Sequence, residues 1–100
     1  MIKVEEKKVN FNGEELVPVI GEYQNGQTSI ELLDKDGMTY MTASVSIEHE
    51  MVEVGKDDVI IKNYSENQGI LQALYYAGII EEPHRAFTYN YVTLYICKIN

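Results

Sequence analysis

Two Asn-Gly dipeptides, each placed between strand-like segments, limit what this chain can fold into more than any other local feature. Asn12-Gly13 and Asn25-Gly26 suit the tight turns with positive φ that close β-hairpins. A third turn is predicted at Asp34-Lys35-Asp36-Gly37, where the glycine can adopt a positive φ. The first half of the chain is therefore predicted to form consecutive antiparallel hairpins.

Six segments have the β-branched content and the apolar alternation that are typical of strands. These segments are Ile2–Phe11, Glu15–Tyr23, Thr28–Leu33, Met38–Ile47, Val59–Ile61 and Ala86–Ile99. In the first segment the apolar residues switch from even positions (Ile2, Val4) to odd positions (Val9, Phe11). This change of apolar phase predicts a bulge or a break near Glu6–Lys8. Pro18 marks the second segment as an edge or bulged strand. Val59–Ile61 has no polar face, which indicates a central strand that is covered on both sides.

One helix is predicted between the last two strands. Ser65 is a good N-cap residue, and Gln68 follows three positions later, as a capping box requires. Apolar residues then recur at helical spacing, at Ile70, Leu71, Leu74 and Ala77. Gly78 is placed to end the helix in the left-handed conformation, which brings Ile79 towards Leu74.

The length of 100 residues and the apolar content of 45% suit one domain with one core. We predict a single α+β domain over residues 1–100, with a mostly antiparallel curved sheet in the order β-β-β-β-β-α-β and one helix packed on it. Cys97 is the only cysteine, and the N-terminus lacks the basic and apolar regions of a secretory signal. These features favour the cytoplasm of the cell that makes the protein.

The negative charge of the chain is concentrated in one stretch. Between Glu14 and Asp58 there are eleven carboxylates and two lysines, whereas the net charge of the whole chain is −8. Such a field repels nucleic acid and attracts basic protein surfaces. The alternative is a solvated face that only provides solubility. The carboxylates predicted to bind a partner are Glu31, Asp34, Asp36, Glu48, Glu50, Glu53, Asp57 and Asp58.

Eight tyrosines in 100 residues are a second candidate for partner binding. Tyr89 and Tyr91 lie in the predicted last strand, and tyrosine is enriched at protein interfaces. The alternative is that these rings pack under the helix with their hydroxyl groups at the rim of the core. The sequence leaves both interpretations open.

Metal binding and catalysis find little support in the sequence. Glu48, His49, Glu50 and Glu53 have the chemistry of metal ligands, but alternate side chains of a strand point to opposite faces and do not converge. Cys97 lies in an apolar strand, where a thiol is usually inert. No phosphate-binding loop, nucleophile elbow or zinc-protease motif is present. We therefore expect no enzymatic activity, no metal and no cofactor.

A motif around the predicted helix carries a resemblance to a known family. Its residues are Lys62, Asn63, Tyr64, Ser65, Glu66, Asn67 and Gly69, followed by Ala73, Leu74, Ala77 and Gly78. The pattern K-[DN]-Y-S-E-N-x-G, with A-L and A-G steps after it, resembles a family of small uncharacterised proteins. Plasmids, conjugative elements and phages of Gram-positive bacteria carry that family, and some members are similar to anti-CRISPR inhibitors of type II systems.

The resemblance implies an accessory protein of a mobile element, and the motif itself has the character of a structural signature. Together with the charge, it suggests a non-enzymatic inhibitor that binds a basic, nucleic-acid-binding surface of a Cas9-type nuclease. The alternative is a housekeeping adaptor or a self-associating structural module, with a homodimer as one form. Neither hypothesis includes direct binding to nucleic acid or to a membrane.

Overall fold

Strands make up most of the regular secondary structure in the computed structural model, which describes residues 2–100. In chain order the elements are β1 (Lys3–Val4), β2 (Val9–Phe11), β3 (Glu14–Glu22), β4 (Thr28–Leu33), β5 (Thr39–Thr42), β6 (Asp58–Lys62), a 3-10 helix (Ser65–Asn67), α1 (Ile70–Tyr76), β7 (Arg85–Tyr89) and β8 (Val92–Lys98). None of the helices in this range reaches the length and apolar character that a bilayer span requires.

The eight strands form one open, mostly antiparallel sheet. Its order is β1-β3-β4-β6-β8-β7, with β2 also paired to β3 and β5 also paired to β4. The one parallel pairing among them joins β4 to β6 at Thr28 and Val59. The α+β class and the mostly antiparallel sheet are thus confirmed, although the domain is richer in strands than predicted.

The predicted hairpins form where the Asn-Gly pairs lie. Asn12 and Gly13 have φ values of 52° and 76°, and Phe11 pairs directly with Glu14 across this turn. Gly26 has a φ of 88°, and the backbone N–H of Tyr23 donates to the carbonyl of Gln27 at 2.7 Å. These positive φ values explain Asn12, Gly13 and Gly26, whereas Asn25 supports its turn through its side-chain oxygen, which accepts the Gln27 N–H at 3.1 Å.

The first predicted strand is broken, as its change of apolar phase indicated. β1 pairs with Ile20 and Val19 of β3, and β2 pairs with the start of the same strand. Pro18 lies between these two pairings, and its carbonyl accepts the Glu5 N–H at 2.9 Å. The backbone N and O of one strand residue point to the same side of the strand. The Pro18 nitrogen therefore faces the gap between β1 and β2, where no backbone N–H donor is needed.

The predicted last strand, Ala86–Ile99, is wrong as a single element. It is a hairpin of β7 and β8 that turns at Asn90 and Tyr91, with φ values of 49° and 69°. The turn has no glycine, so no strong turn signal marks it in the sequence. The pairing of Phe87 with Leu94 places the β7 aromatic residues on the aliphatic face of β8, not on the face of Tyr95.

Two apolar clusters lie on opposite faces of the central strand β6. Val59 and Ile61 belong to the first cluster, which includes the helix residues Ile70 and Leu74. Ile60 belongs to the second cluster, with Ile47, Leu94 and Ile96 at its centre. The prediction of a central strand covered on both sides is confirmed.

The helix begins later than predicted, and Ser65 is not its N-cap. Ser65 instead opens the 3-10 helix with a φ of 54°, and α1 begins after Gly69, which has a φ of 97°. The cap comes from further upstream: the side-chain oxygen of Asn63 accepts the N–H groups of Gly69 and Leu71, both at 3.0 Å. Two N–H groups at the start of the helix are thereby satisfied.

The end of the helix matches the prediction. Gly78 has a φ of 79°, and its N–H donates to the Tyr75 carbonyl at 3.0 Å. The Ile79 N–H donates to the Leu74 carbonyl, also at 3.0 Å. These two hydrogen bonds define a Schellman motif.

Candidate protein-binding surface

The segment after β5 leaves the edge of β4 and runs towards β6. The Ala43 N–H donates to the Ile30 carbonyl at 2.9 Å, and the Val45 N–H donates to the Ile60 carbonyl at 3.0 Å. The predicted strand Met38–Ile47 therefore divides between two neighbours, with β5 as its first part. This crossing carries the chain to the face of the second cluster, where the acidic residues follow.

Residues 48–57, which we call the acidic strap, lie across the second cluster. The strap starts with a turn in which the Met51 N–H donates to the Glu48 carbonyl at 2.9 Å. Val52 and Val54 then pack against the second cluster, while the alternating residues Met51 and Glu53 are exposed. This alternation turns an acidic loop into the cover of an apolar face, because every second side chain contributes to the core.

Side chains of the β3–β4 turn hold the first end of the strap. The Gln27 side chain bonds both backbone groups of Ile47: its amide donates to the carbonyl at 2.7 Å, and its oxygen accepts the N–H at 2.9 Å. The His49 ring donates to the Asn25 carbonyl at 3.0 Å. Three hydrogen bonds thus fix the chain on either side of Glu48.

Asp58 holds the other end. One carboxylate oxygen accepts the Gly55 N–H at 2.9 Å; the second lies 2.9 Å from the His84 ring nitrogen and 3.6 Å from the Lys98 ammonium. Burial raises the pKa of Asp58, but the hydrogen bonds from His84 and Gly55 and the charges of His84 and Lys98 outweigh it and lower the pKa overall. Arg85 also donates to the Glu53 carbonyl.

Four of the predicted carboxylates are displayed together on the strap. Glu48, Glu50, Glu53 and Asp57 are all exposed. None of the four forms an ion pair with another residue in the range 2–100. Lys56 is the one cation within the strap itself, while Arg85 contacts the Glu53 carbonyl and Lys98 contacts the Asp58 carboxylate. The strap therefore presents unpaired negative charge from a fixed backbone.

The other four predicted carboxylates lie elsewhere. Asp34 and Asp36 follow the far end of β4, about 17 Å from Thr28 at five residue steps of about 3.3 Å. The Asp34 carboxylate accepts the N–H groups of Asp36 and Met38 within its own turn. Glu31 lies in the middle of β4 and accepts the Thr39 hydroxyl at 3.2 Å.

Asp58 does not belong to the displayed charge. It is only 6% exposed, and both of its oxygens are engaged inside the protein. The expectation that Asp58 forms part of an exposed acidic face is therefore corrected: it anchors the strap. The eight acids do not form one continuous patch, and the compact group is the one on the strap.

The two predicted tyrosines differ in their surroundings. Tyr89 is half-buried and packs against the second cluster, on the face opposite the helix. Tyr91 is fully exposed at the tip of the β7–β8 hairpin. Neither ring packs under the helix, which was the alternative left open by the sequence.

An apolar groove lies beside the strap, between the crossing segment and the β7–β8 hairpin. It has a volume of about 320 Å³, and we call it the Tyr89 groove. Its main lining residues are Val45, Ile47, Tyr64, Tyr89, Val92 and Leu94. Ser46 and Asn90 supply the polar part of its rim. The groove is thus the uncovered portion of the face that Val52 and Val54 cover elsewhere.

The residues considered for metal binding or nucleophilic chemistry have other contacts. His49 is bound to the β3–β4 turn, and residues 2–100 hold no group of three metal-binding side chains. Cys97 is buried. Desolvation, with a smaller effect of the Asp58 charge, raises the pKa of its thiol to about 12. At neutral pH the thiol is protonated and enclosed, so it is a poor nucleophile.

Sequence reasoning missed the anchors of the strap. Gln27 and Asn25 lie next to a turn, where polar residues are expected to face water. Gln27 instead is buried and replaces a strand partner for Ile47. The one available signal was the lack of an Asn-Gly or similar turn between Ile47 and Val59, which implies some other means of holding eleven residues in place.

The chain was compared with protein-family models, with curated proteins and with solved structures, and none of them matches it.

Proposed function

We propose that this protein is a non-enzymatic binding protein that docks its acidic strap on a basic surface of a protein partner. The observation that carries the proposal is the display of four unpaired carboxylates on a segment anchored at both ends. A solubility face needs charge but no fixed backbone. Fixing the charged segment before binding reduces the conformational entropy lost on association.

The proposed partner is a Cas9-type nuclease that a host uses against the mobile element. Guide-RNA effectors hold their heteroduplex in positively charged channels that recognise shape and backbone rather than sequence. Four closely spaced carboxylates are complementary to such a channel, and they would compete with phosphate groups for its lysines and arginines. The resemblance of the Lys62–Gly78 region to proteins of mobile elements supports this choice of partner.

The geometry of the Lys62–Gly78 motif explains why it recurs without being part of the binding surface. Asn63 caps α1, and the side chain of the buried Asn67 donates to the Thr42 carbonyl at 2.9 Å. Both asparagines join the helix region to the sheet. The motif thus stabilises the scaffold, while the strap on the opposite face remains free to bind.

The test compares two variants of equal net charge. In the strap variant, Glu48, Glu50 and Glu53 become glutamine and Asp57 becomes asparagine. In the control variant, four exposed carboxylates outside the strap become glutamine: Glu6, Glu14, Glu15 and Glu66. Both are titrated by biolayer interferometry against guide-free Cas9-type nuclease at several salt concentrations.

We expect the strap variant to bind at least about tenfold more weakly and to lose most of the salt dependence. The control variant should stay within about twofold of the unmodified protein. Equal loss in both variants would show that net charge alone drives the interaction and would remove the strap as a site. Full binding by the strap variant would remove the electrostatic mechanism.

A second candidate function is self-association through the sheet edge, which the position of β7 favours. β7 ends the strand order, so its outer edge has no strand partner among residues 2–100. Edge strands of this kind can pair with a second copy and give a symmetric dimer. Light scattering over a range of protein and salt concentrations tests this candidate, since a salt-insensitive dimer that Thr88→Pro abolishes would support it.

A further inference from the structure

The Tyr89 groove has the properties of a pocket for one apolar anchor. Its floor belongs to the second cluster, in which Leu94 and the neighbouring Ile96 are buried. Its wall is fixed because Gln27 bonds both backbone groups of Ile47. A volume of about 320 Å³ lies at the lower end of the range of ligand pockets, roughly 300–1,000 Å³.

The groove is continuous with the negative charge of the strap. Ile47 lines the groove, and Glu48 is the next residue in the chain. The hydrogen bond between Met51 and Glu48 closes a turn that holds Glu48 and Glu50 near this end of the groove. An apolar pocket whose lining residue Ile47 is followed directly by an acidic turn is complementary to an apolar side chain flanked by lysine or arginine.

Tyr91 provides a second, independent indication at the other end of the groove. It follows the lining residue Asn90 and has a φ of 69°, in the left-handed region. A bulky residue adopts this conformation at a cost of roughly 1–2 kcal/mol, and such strain is concentrated at functional sites. The ring is fully exposed, so it contributes nothing to the core in return.

From these features we infer that the Tyr89 groove receives an apolar or aromatic side chain from a lysine- or arginine-rich segment of the partner protein. Glu48 and Glu50 contact the basic neighbours of this anchor, and Tyr91 packs against the bound segment. The inference rests on the proposed function and specifies the part of the basic partner that is recognised.

Charge selects this occupant over the others. A second copy of the chain would bring its own charge of −8 against the same carboxylates, and like charges in an interface are unfavourable. Nucleic acid is excluded for the same reason. A basic protein segment gains from the carboxylates and from the burial of its anchor, which together give affinity and register.

The experiment uses a ¹⁵N-labelled sample of the full chain and three synthetic peptides. The first peptide has a Leu-Phe-Leu core between lysine runs. The second has the same lysine runs around Ser-Gly-Ser, and the third has glutamate runs around Leu-Phe-Leu. We expect the first to shift the amide signals of Val45, Ile47, Tyr89 and Asn90, and to bind at least about tenfold more tightly than the other two.

Three variants, one of them a control, test the pocket without removing a core residue. Ser46→Trp places a ring in the groove from an exposed rim position and should weaken binding of the first peptide at least about tenfold. Gln72→Trp adds the same ring at an exposed position of α1 and should have no effect. Tyr91→Gly should bind the peptide several-fold more weakly while the protein unfolds at an equal or higher temperature.

The outcomes separate the groove from the strap. If Ser46→Trp binds both the peptide and the nuclease as well as the unmodified protein, the groove inference is wrong, whatever the strap variant does. If the first peptide shifts no groove signal, or binds no better than the Ser-Gly-Ser peptide, the inference is also wrong. If the strap variant keeps full binding, the proposed function fails instead.

Discussion

Replacement of Asn63 by alanine tests whether the Lys62–Gly78 motif stabilises the fold. The Asn63 oxygen accepts two backbone N–H groups at the start of α1, each at 3.0 Å. Loss of an N-cap costs about 1 kcal/mol, and a second partly buried donor left without a partner adds about 1 kcal/mol. We expect Asn63→Ala to lower the free energy of unfolding by about 2 kcal/mol.

The size of the helix makes this loss visible in the whole domain. α1 has only seven residues, too few for a helix to persist alone in water. It is held by the packing of Ile70 and Leu74, both fully buried. Loosening its first turn therefore disturbs the first cluster, and we expect the melting temperature to fall by about 8–16 °C for a domain of this size.

Urea unfolding followed by circular dichroism provides the measurement, with the midpoint expected to fall and the m-value to stay constant. Asn63→Asp is the matched control, because aspartate keeps the acceptor and adds negative charge at the positive end of the helix. Asn10→Ala on the exposed face of β2 controls for asparagine loss as such. An Asn63→Ala protein as stable as the unmodified one, but defective in nuclease binding, would refute the structural explanation of the motif.

Three further changes have outcomes that follow from single contacts. The folded-state pKa of Asp58 lies below its ordinary value of 3.8. The contribution of Asp58 to stability is therefore present at neutral pH and is lost as the pH falls below about 4 through that lowered pKa. Urea titrations at several pH values should show this loss, and the Asp58→Asn variant should lack this pH dependence. Cys97, with a thiol pKa of about 12, should react with a thiol reagent at pH about 8 only after urea unfolds the protein; rapid labelling of the native protein would contradict the burial. Gly69→Ala should lower the free energy of unfolding by about 1–2 kcal/mol, because its φ of 97° is unfavourable for a side chain although the nearest atom would lie at an ordinary 3.6 Å; an unchanged urea midpoint would count against this reason.

Where one residue determines the local backbone, the sequence was sufficient. Gly78 predicted the end of α1 correctly, because a left-handed residue followed by Ile79 allows few other geometries. Val59–Ile61 predicted a central strand because no polar face was available to water. For Gly78 the deciding hydrogen bonds lie within a few residues of the signal; for Val59–Ile61 the composition of the strand alone requires that both faces be covered, although the covering residues are distant in sequence.

Where long-range contacts decide, the sequence was not sufficient. Asn63 caps a helix whose first residue lies seven positions later, so the nearer Ser65 looked like the better cap. Asn90 and Tyr91 make a tight turn because β8 pairs on both sides, and local preference alone would have placed glycine there. Tertiary pairing overrode propensity at each of these sites.

The same limit applies to the candidate site. The count of carboxylates located the acidic region but could not divide its members into exposed and buried ones. Asp57 and Asp58 are adjacent in sequence, yet Asp57 is exposed and Asp58 is buried. The division depends on His84 and Lys98, which reach Asp58 from the other end of the chain. A linear charge pattern contains no information about which anions are matched in three dimensions.

Exposed and partly buried side chains alternate along the strap, so neighbouring positions are under different evolutionary constraints. Val52 and Val54 must remain apolar because they close a face of the core. The side chains of Met51 and Glu53, which alternate with these valines and are exposed, are under almost no constraint from folding. Substitutions at these outward positions can therefore accumulate one at a time, and each intermediate remains a folded protein.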